Sequence, residues 1–172
     1  GSIGDFTISG QFTFNADYNA ISENPSLVEL TDGISRTNTI ALYYETASQT
    51  LKTYIRQPAD FITAQSAFQP LKNIKYNIVM KCENNVLKVY VNSILMFSAD
   101  ITLYRFNSPY LLLGHVFGYQ NYKLNGTISD FNIFNYALSE TEIKQIYETG
   151  LKGIPIKVAN EEERSSTPYT LY

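Results

Sequence analysis

Residues 124–150 constrain the fold of this chain most, because they read as one long strand that runs directly into one short helix. Ser139 and Glu142 have the spacing of a capping box, in which each side chain satisfies a backbone N–H group of the first helical turn. Gly150 is placed to end the helix in the left-handed conformation that glycine adopts readily. The stretch therefore predicts a strand followed by a helix between Ser139 and Gly150.

The predicted helix has one apolar face. Ile143, Ile146 and Tyr147 recur at helical spacing, and Leu138 precedes the cap where it can pack on Ile143 as a hydrophobic staple. This is the only helix that the sequence predicts. The remaining periodicity is that of strands.

Period-two alternation marks the first of these strands at residues 6–14, where Phe6, Ile8, Phe12 and Phe14 share one face. Further strands are predicted at residues 27–30, 39–44, 51–56, 75–82, 86–91, 94–97 and 110–114. Residues 58–70 are polar and irregular, so we expect them to cross one end of the fold without regular structure.

Two local irregularities are also expected. Ser93 lies in a tight hairpin turn, where a positive φ would cost a residue with a Cβ atom about 1 kcal/mol. The apolar parity of the closing strand shifts between Ile128 and Phe131, which predicts a β-bulge near residues 129–130.

The closing segment carries a family resemblance. The sequence N-G-T-I-S-D-F-N-I at 125–133, then N-Y-A-L-S at 135–139 and Glu142-Ile143, resembles the closing motif of LamG-like jelly-roll domains. These domains belong to the concanavalin A-like lectin/glucanase group. The motif is specific, because it combines strand, cap and helix in one order.

The middle of the chain resembles the same family in the segment L-K-V-Y-V-N at 87–92. Two positions depart from the family pattern: Tyr76 stands where Trp is common, and Ser93 stands where Gly is common. Tyrosine keeps a large ring with a polar tip, so its packing role is expected to survive. The resemblance runs from about residue 6 to residue 150.

The resemblance implies an all-β fold: a two-sheet antiparallel jelly-roll β-sandwich, concanavalin A-like, with one short helix near the C-terminus. We place this LamG-like domain at residues 1–150. Residues 151–172 are expected to form a C-terminal extension, either with an edge strand at 154–158 or as a linker or tail.

Composition and charge exclude two classes of partner. The chain of 172 residues has a formal net charge of −3, whereas nucleic-acid-binding proteins are usually basic, so no nucleic acid is expected. No apolar run approaches the roughly 20 residues of a membrane helix, so no membrane insertion is expected.

The single cysteine, Cys82, is interpreted as a buried, inert thiol. Gly1-Ser2 is typical of a cloning remnant, so a targeting segment before it could have been removed.

Catalytic motifs are missing from the sequence. Glucanases of this fold carry carboxylates on one face of a strand as E-x-D-x-x-E, and no such spacing occurs here. Glu140 and Glu142 are explained by the helix start, and the acidic residues 161–163 lie in the expected tail. His115, the only histidine, has no partner in a triad arrangement. We therefore expect no enzymatic activity.

A calcium site is one candidate function of the loops, because relatives of this fold often bind calcium through loop oxygens at one end of the sandwich. Calcium takes six to eight oxygen ligands, so several loops must converge. The candidate ligands are Asp17, Asn19, Glu23 and Asp32. The alternative is that these residues only cap turns.

A sugar site is the other candidate, since lectin sites pair an aromatic face with amide and carboxylate groups. One loop offers that mixture in His115, Tyr119, Gln120, Asn121 and Tyr122. Tyr43, Tyr44 and Tyr54 could add a second aromatic surface, although core or interface packing explains them equally well.

The sequence thus favours a non-enzymatic recognition module that binds a glycan or a cell-surface receptor, as an adhesion domain within a larger extracellular or virion-surface protein. One alternative is a structural or assembly domain, possible in a homo-oligomer, which has no small ligand. Another is an accessory lectin domain of a glycosidase. Fold alone does not decide between them.

Overall fold

A computed structural model describes residues 4–18, 23–33, 38–57, 60–101, 110–118 and 122–152. These residues form ten strands and one helix: β1 (Phe6–Phe14), β2 (Ser26–Thr31), β3 (Thr39–Glu45), β4 (Thr50–Gln57), β5 (Asp60–Ala67), β6 (Lys75–Glu83), β7 (Val86–Val91), β8 (Ile94–Asp100), β9 (Tyr110–Leu113), β10 (Gly126–Phe134) and α1 (Glu140–Lys152). The described helix is too short and too polar to cross a membrane.

The strands form two five-stranded antiparallel sheets. The first sheet has the order β10-β1-β6-β7-β8, and the second has the order β5-β4-β3-β2-β9. Their facing sides bury one continuous apolar core, in which Ile8 and Phe12 of β1 join Ile40 and Leu42 of β3. Burial of this surface is the main favourable term in folding. The structure confirms the predicted two-sheet jelly-roll sandwich with a helix near its C-terminal end.

Helix α1 lies on the outer face of the first sheet. Leu138, Ile143 and Ile146 pack with Val79 and Tyr90 in a second, smaller apolar cluster. Packing on a sheet supplies the burial that a 13-residue helix lacks in isolation.

The predicted capping box is present at the start of α1. The backbone N–H of Ser139 donates to the Glu142 carboxylate at 2.7 Å, and the backbone N–H of Glu142 donates to Ser139 Oγ at 3.2 Å. Both groups would otherwise lack an intrahelical partner. Leu138 and Ile143 share the same cluster, as expected of a hydrophobic staple.

The end of the helix differs from the prediction. Gly150 was expected to end α1, but the helix continues to Lys152. A Cβ atom at position 150 would overlap the amide group of Gln11 on the sheet below. This glycine therefore permits close packing rather than a left-handed turn. The expected edge strand and tail at 154–172 lie outside the described residues.

The expectation for residues 58–70 is also wrong, because β5 occupies most of that segment and pairs with β4 over its whole length. β5 is an edge strand whose outer face includes the exposed Thr63 and Gln65. Such a strand buries little apolar surface, so its sequence carries a weak strand pattern.

The two predicted irregularities are present. Asn92 and Ser93 have φ values of 49° and 65°, which places Ser93 in the left-handed region. Ser9 of β1 pairs with Asn132 of β10, but Gln11 pairs with Ser129, so β10 has one extra residue between these pairs. Asp130 lies at this bulge and has a φ of 49°. Both Ser93 in the turn and Asp130 in the bulge therefore adopt a left-handed conformation that is unfavourable for residues with a Cβ atom.

Two core predictions also hold. The ring of Tyr76 packs edge-on to Phe68 at 5.2 Å, and its hydroxyl accepts the backbone N–H of Leu71 at 2.9 Å. Cys82 is fully buried, and burial raises the pKa of its thiol to about 11. A thiol with this pKa remains protonated and unreactive at neutral pH.

Candidate ligand-binding site

The outer face of the second sheet carries the candidate site. Successive side chains of a strand point to opposite faces. Because Ile40, Leu42 and Tyr44 enter the core, the alternating residues Thr39, Ala41 and Tyr43 lie on the outer face of β3. In β4 the core residues Leu51 and Ile55 place Lys52, Tyr54 and Arg56 on the same outer face by the same rule.

Strand register brings these outer residues side by side. Ala41 lies opposite Glu29 of β2 on one side and opposite Tyr54 of β4 on the other. In the neighbouring row Thr39 lies opposite Arg56. Ala41 is therefore a small residue enclosed by larger ones.

This arrangement produces a pocket with Ala41 as its floor. The cavity volume is about 190 Å³. Its walls combine one acidic, one basic and one aliphatic side chain with three tyrosines and a threonine: Glu29, Arg56, Val116, Tyr43, Tyr54, Tyr122 and Thr39.

The loop after β9 closes one side of the pocket, and a buried carboxylate holds that loop. Glu29 is only 1% exposed, and its Oε2 atom accepts the backbone N–H of Phe117 at 2.6 Å. The carbonyl of Tyr122 accepts the backbone N–H of Ser26 at 3.2 Å. Both anchors belong to β2, so the loop residues Val116 and Tyr122 are held against the sheet.

Tyr43 is one of three tyrosines that line the pocket, and its hydroxyl remains protonated. Burial, with smaller contributions from Glu45, Tyr122 and Tyr54, raises the pKa of Tyr43 far above its ordinary value of 10.0. The phenol of Tyr43 thus stays protonated at any physiological pH. It can donate a hydrogen bond to a ligand.

Arg56 supplies the positive charge of the pocket. β4 has two outward basic residues, and the other one, Lys52, is paired with Glu45 at 3.0 Å. Arg56 makes no ion pair or side-chain hydrogen bond with any residue that the structure describes. A half-buried guanidinium group with its donors unused is suited to a planar anion such as a carboxylate.

The predicted sugar-binding residues are only partly brought together. Tyr122 lines the pocket, but His115 does not. Tyr119, Gln120 and Asn121 lie outside the described residues. Of the three tyrosines considered as a second aromatic surface, Tyr43 and Tyr54 line the pocket, whereas Tyr44 is fully buried in the core.

Sequence reasoning missed five lining residues, namely Glu29, Thr39, Ala41, Arg56 and Val116. One signal could have found some of them. Glu29 is the only charged residue of β2 and is enclosed by apolar neighbours, and Arg56 shares its strand face with Tyr54. A lone charge on an apolar strand is costly to bury unless it is paired.

The predicted metal ligands are not gathered in one place. Glu23 and Asp32 lie at opposite ends of β2, which spans roughly 17 Å at about 3.3 Å per residue. Asp32 accepts the Asn38 amide at 2.9 Å. Asp17 lies near Tyr44, whose pKa is raised by burial and to a lesser degree by Asp17. Asn19 is outside the described residues.

A metal centre has little support in the described part of the chain. No group of three or more His, Cys, Asp or Glu side chains is clustered there. Calcium binding stays a prediction, and it would need ligands such as backbone carbonyls.

Comparison with known proteins gives one family. A family model described as the concanavalin A-like lectin/glucanases superfamily matches residues 2–144. No curated protein sequence matches the chain.

Several solved structures share the fold at low sequence identity. The CBM40 domain of the Ruminococcus gnavus IT-sialidase, bound to α2,3-sialyllactose, is 16% identical with a TM-score of 0.68, over 85% of this chain and 84% of that chain. A leech intramolecular trans-sialidase is 17% identical with a TM-score of 0.67, over 92% of this chain and 25% of that chain. The botulinum neurotoxin serotype D binding domain is 15% identical with a TM-score of 0.64, over 85% of this chain and 37% of that chain.

Proposed function

Because this chain belongs to the concanavalin A-like lectin/glucanases superfamily, we propose that it is a non-catalytic module that binds a glycan in the pocket above Ala41. One observation carries the proposal: a small floor residue is enclosed by tyrosine rings, a buried carboxylate and a guanidinium group that has no partner among the described residues. Sugars present both apolar ring faces and hydroxyl groups, and a pocket of this mixed chemistry serves both.

The pocket size suits one sugar unit. Its volume of about 190 Å³ is smaller than the roughly 300–1,000 Å³ of clefts that hold drug-sized ligands. A single pyranose ring can enter and lie against Tyr43, Tyr54 or Tyr122. The rest of a longer glycan must then lie outside the pocket.

Charge favours an acidic sugar. Glu29 is already engaged with the loop amide of Phe117, whereas Arg56 is unpaired among the described residues. The positive group is therefore the one available to a ligand, and a guanidinium group binds a carboxylate with two parallel hydrogen bonds. The CBM40 domain of similar fold is bound to a sialylated sugar, which supports sialic acid or another carboxylate-bearing sugar as the ligand.

The pocket is poorly equipped for hydrolysis. Retaining glycosidases use two carboxyl groups about 5 Å apart. Among the described residues that line the pocket, Glu29 is the only carboxylate. Its role in holding the loop explains it without catalysis. This supports a binding module rather than an enzyme.

The context that we propose is extracellular. The similar structures are domains of sialidases and toxins, and the chain covers 25% and 37% of two of them. We propose that this chain likewise forms part of a longer surface protein and that its partner is a glycan on a cell-surface receptor. An accessory domain of a glycosidase fits the same evidence, since two of those structures come from sialidases.

A glycan array with pocket variants tests this proposal. Ala41→Trp fills the floor of the pocket and should abolish binding, whereas Thr127→Trp, at an exposed position on the other sheet, should not. Arg56→Met should lose the preference for sialylated over desialylated glycans. Undiminished binding by Ala41→Trp would refute the site. A wild-type chain that binds no glycan would refute the function.

A further inference from the structure

We propose that Phe61 forms a second subsite, which stacks against the sugar unit that follows the one held in the pocket. The inference rests on the proposed function, and it specifies a glycan of at least two units. The ligand class is an acidic oligosaccharide whose terminal unit contacts Arg56 and whose next unit presents an apolar ring face to Phe61.

The position of Phe61 is the first support. Phe61 lies directly opposite Arg56 in the pairing of β4 with β5, so the two residues share the outer face of the sheet. Adjacent strands are about 4.8 Å apart, a distance comparable with the length of one sugar unit. A glycan with its acid group at Arg56 therefore passes over Phe61 when it runs toward the β5 edge.

Exposure is the second support. Phe61 is 60% exposed, although a phenylalanine on a strand normally gains free energy by burial. Its neighbours along the outer face of β5, Thr63 and Gln65, are polar. An exposed ring beside a pocket, next to polar residues on the same strand face, is a candidate contact surface for a ligand.

Ring geometry is the third support. The rings of Phe61 and Tyr54 have centroids 5.8 Å apart and an interplanar angle of 31°, so they are tilted only moderately from a common orientation. Tyr54 itself lines the pocket. The two rings form a continuous aromatic surface from the pocket to the edge of the sheet.

Structural packing alone would give the same contact between Tyr54 and Phe61, so the test must separate a binding role from a stabilising one. Titration calorimetry with two probes does so: a methyl sialoside, which fills only the pocket, and sialyllactose, which extends beyond it. The wild-type chain should bind sialyllactose more tightly than the methyl sialoside.

Phe61→Ala should reduce the affinity for sialyllactose by about 3- to 10-fold, as expected for the loss of one aromatic contact, and leave the methyl sialoside unaffected. Phe61→Tyr keeps the ring and should retain the affinity. Thr63→Ala, on the same strand face, is the control and should change neither. Thermal unfolding of each variant shows that the fold is kept.

The outcomes separate the two proposals. If Phe61→Ala changes both affinities equally or neither, while Ala41→Trp abolishes binding, the second subsite is refuted and the proposed function stands. If the wild-type chain does not distinguish the two probes, the second subsite is refuted directly. If Ala41→Trp leaves binding intact, the pocket itself is refuted.

Discussion

The carboxylate of Glu29 and the backbone N–H of Phe117 meet at 2.6 Å, although 88 residues separate them in sequence. Glu29 belongs to β2, and Phe117 belongs to the loop that closes the pocket. A buried backbone N–H group that loses its acceptor costs free energy, so this hydrogen bond stabilises the position of the loop. The shape of the pocket therefore depends on a hydrogen bond between one of its lining residues and the loop beside it.

Replacement of this carboxylate should loosen the loop. Glu29→Ala leaves the Phe117 N–H without its acceptor, and we expect the free energy of unfolding to fall by about 1.5–3 kcal/mol. Glycan affinity should fall as well. Glu29→Gln keeps an acceptor oxygen and should have a smaller effect. Urea unfolding and calorimetry check both; a Glu29→Ala variant as stable as the wild type would contradict the anchoring role.

Acid should remove the stabilisation that the ion pair between Lys81 and Glu83 supplies next to the start of α1. Lys81 is 2% exposed, donates to the Leu138 carbonyl at 2.9 Å and pairs with Glu83 at 3.1 Å. The hydrogen bond and charge of Lys81, with a smaller contribution from Lys88, lower the pKa of Glu83 below its ordinary value of 4.5. Because this pKa is depressed in the folded state, the stabilisation is complete above pH 4.5 and is lost as the pH falls through the folded value.

The measurement is the midpoint of thermal unfolding against pH for the wild type and Glu83→Gln. The wild type should be more stable at neutral pH, and the difference should shrink toward zero as the solution is acidified below pH 4.5. A difference that stays constant across this range would rule out ionisation of Glu83 as its source.

The strained turn offers a stabilising change. Ser93 has a φ of 65°, which glycine adopts without steric cost. We expect Ser93→Gly to raise the free energy of unfolding by about 0.5–1 kcal/mol. This net gain is the relieved strain less the cost of the higher entropy that glycine gives to the unfolded chain. Ala47→Gly, in an exposed turn where φ is not positive, is the matched control and should destabilise. Equal effects of the two changes would show that strain at Ser93 is negligible.

Two buried tyrosines should respond oppositely to loss of the hydroxyl. The hydroxyl of Tyr18 accepts the backbone N–H of Asn125 at 2.7 Å, whereas that of Tyr90 has no hydrogen-bond partner among the described residues. Tyr18→Phe should cost about 0.5–1.5 kcal/mol, and Tyr90→Phe should be neutral or stabilising. Chemical denaturation measures both. Comparable losses would mean that the hydroxyl of Tyr90 is satisfied in solution.

The fold could be predicted because its strongest signals are local. The cap formed by Ser139 and Glu142 depends on residues three positions apart, and the alternation of β1 is visible within nine residues. β5 was missed because an edge strand with the polar residues Thr63 and Gln65 on its outer face shows only a weak apolar alternation. The role of Gly150 was misjudged because its reason, the side chain of Gln11, is distant in sequence.

The site was harder to predict because it depends on register. The sequence does not distinguish Tyr43 from Tyr44. The orientation of β3 in the sheet places the first in the pocket and the second in the core. Ala41 carries no chemical signal at all. Its significance comes from Glu29 and Tyr54 lying opposite it on the two neighbouring strands. No single strand contains that information.

The alanine floor has a consequence for how such a module can diversify. β3 is hydrogen-bonded to strands on both sides, so exchanges at position 41 occur on a backbone that does not need to move. Serine there would add a hydroxyl, valine would make the recess shallower, and glycine would deepen it. A single substitution at position 41 would thus change the depth and polarity of the recess while the scaffold stays constant.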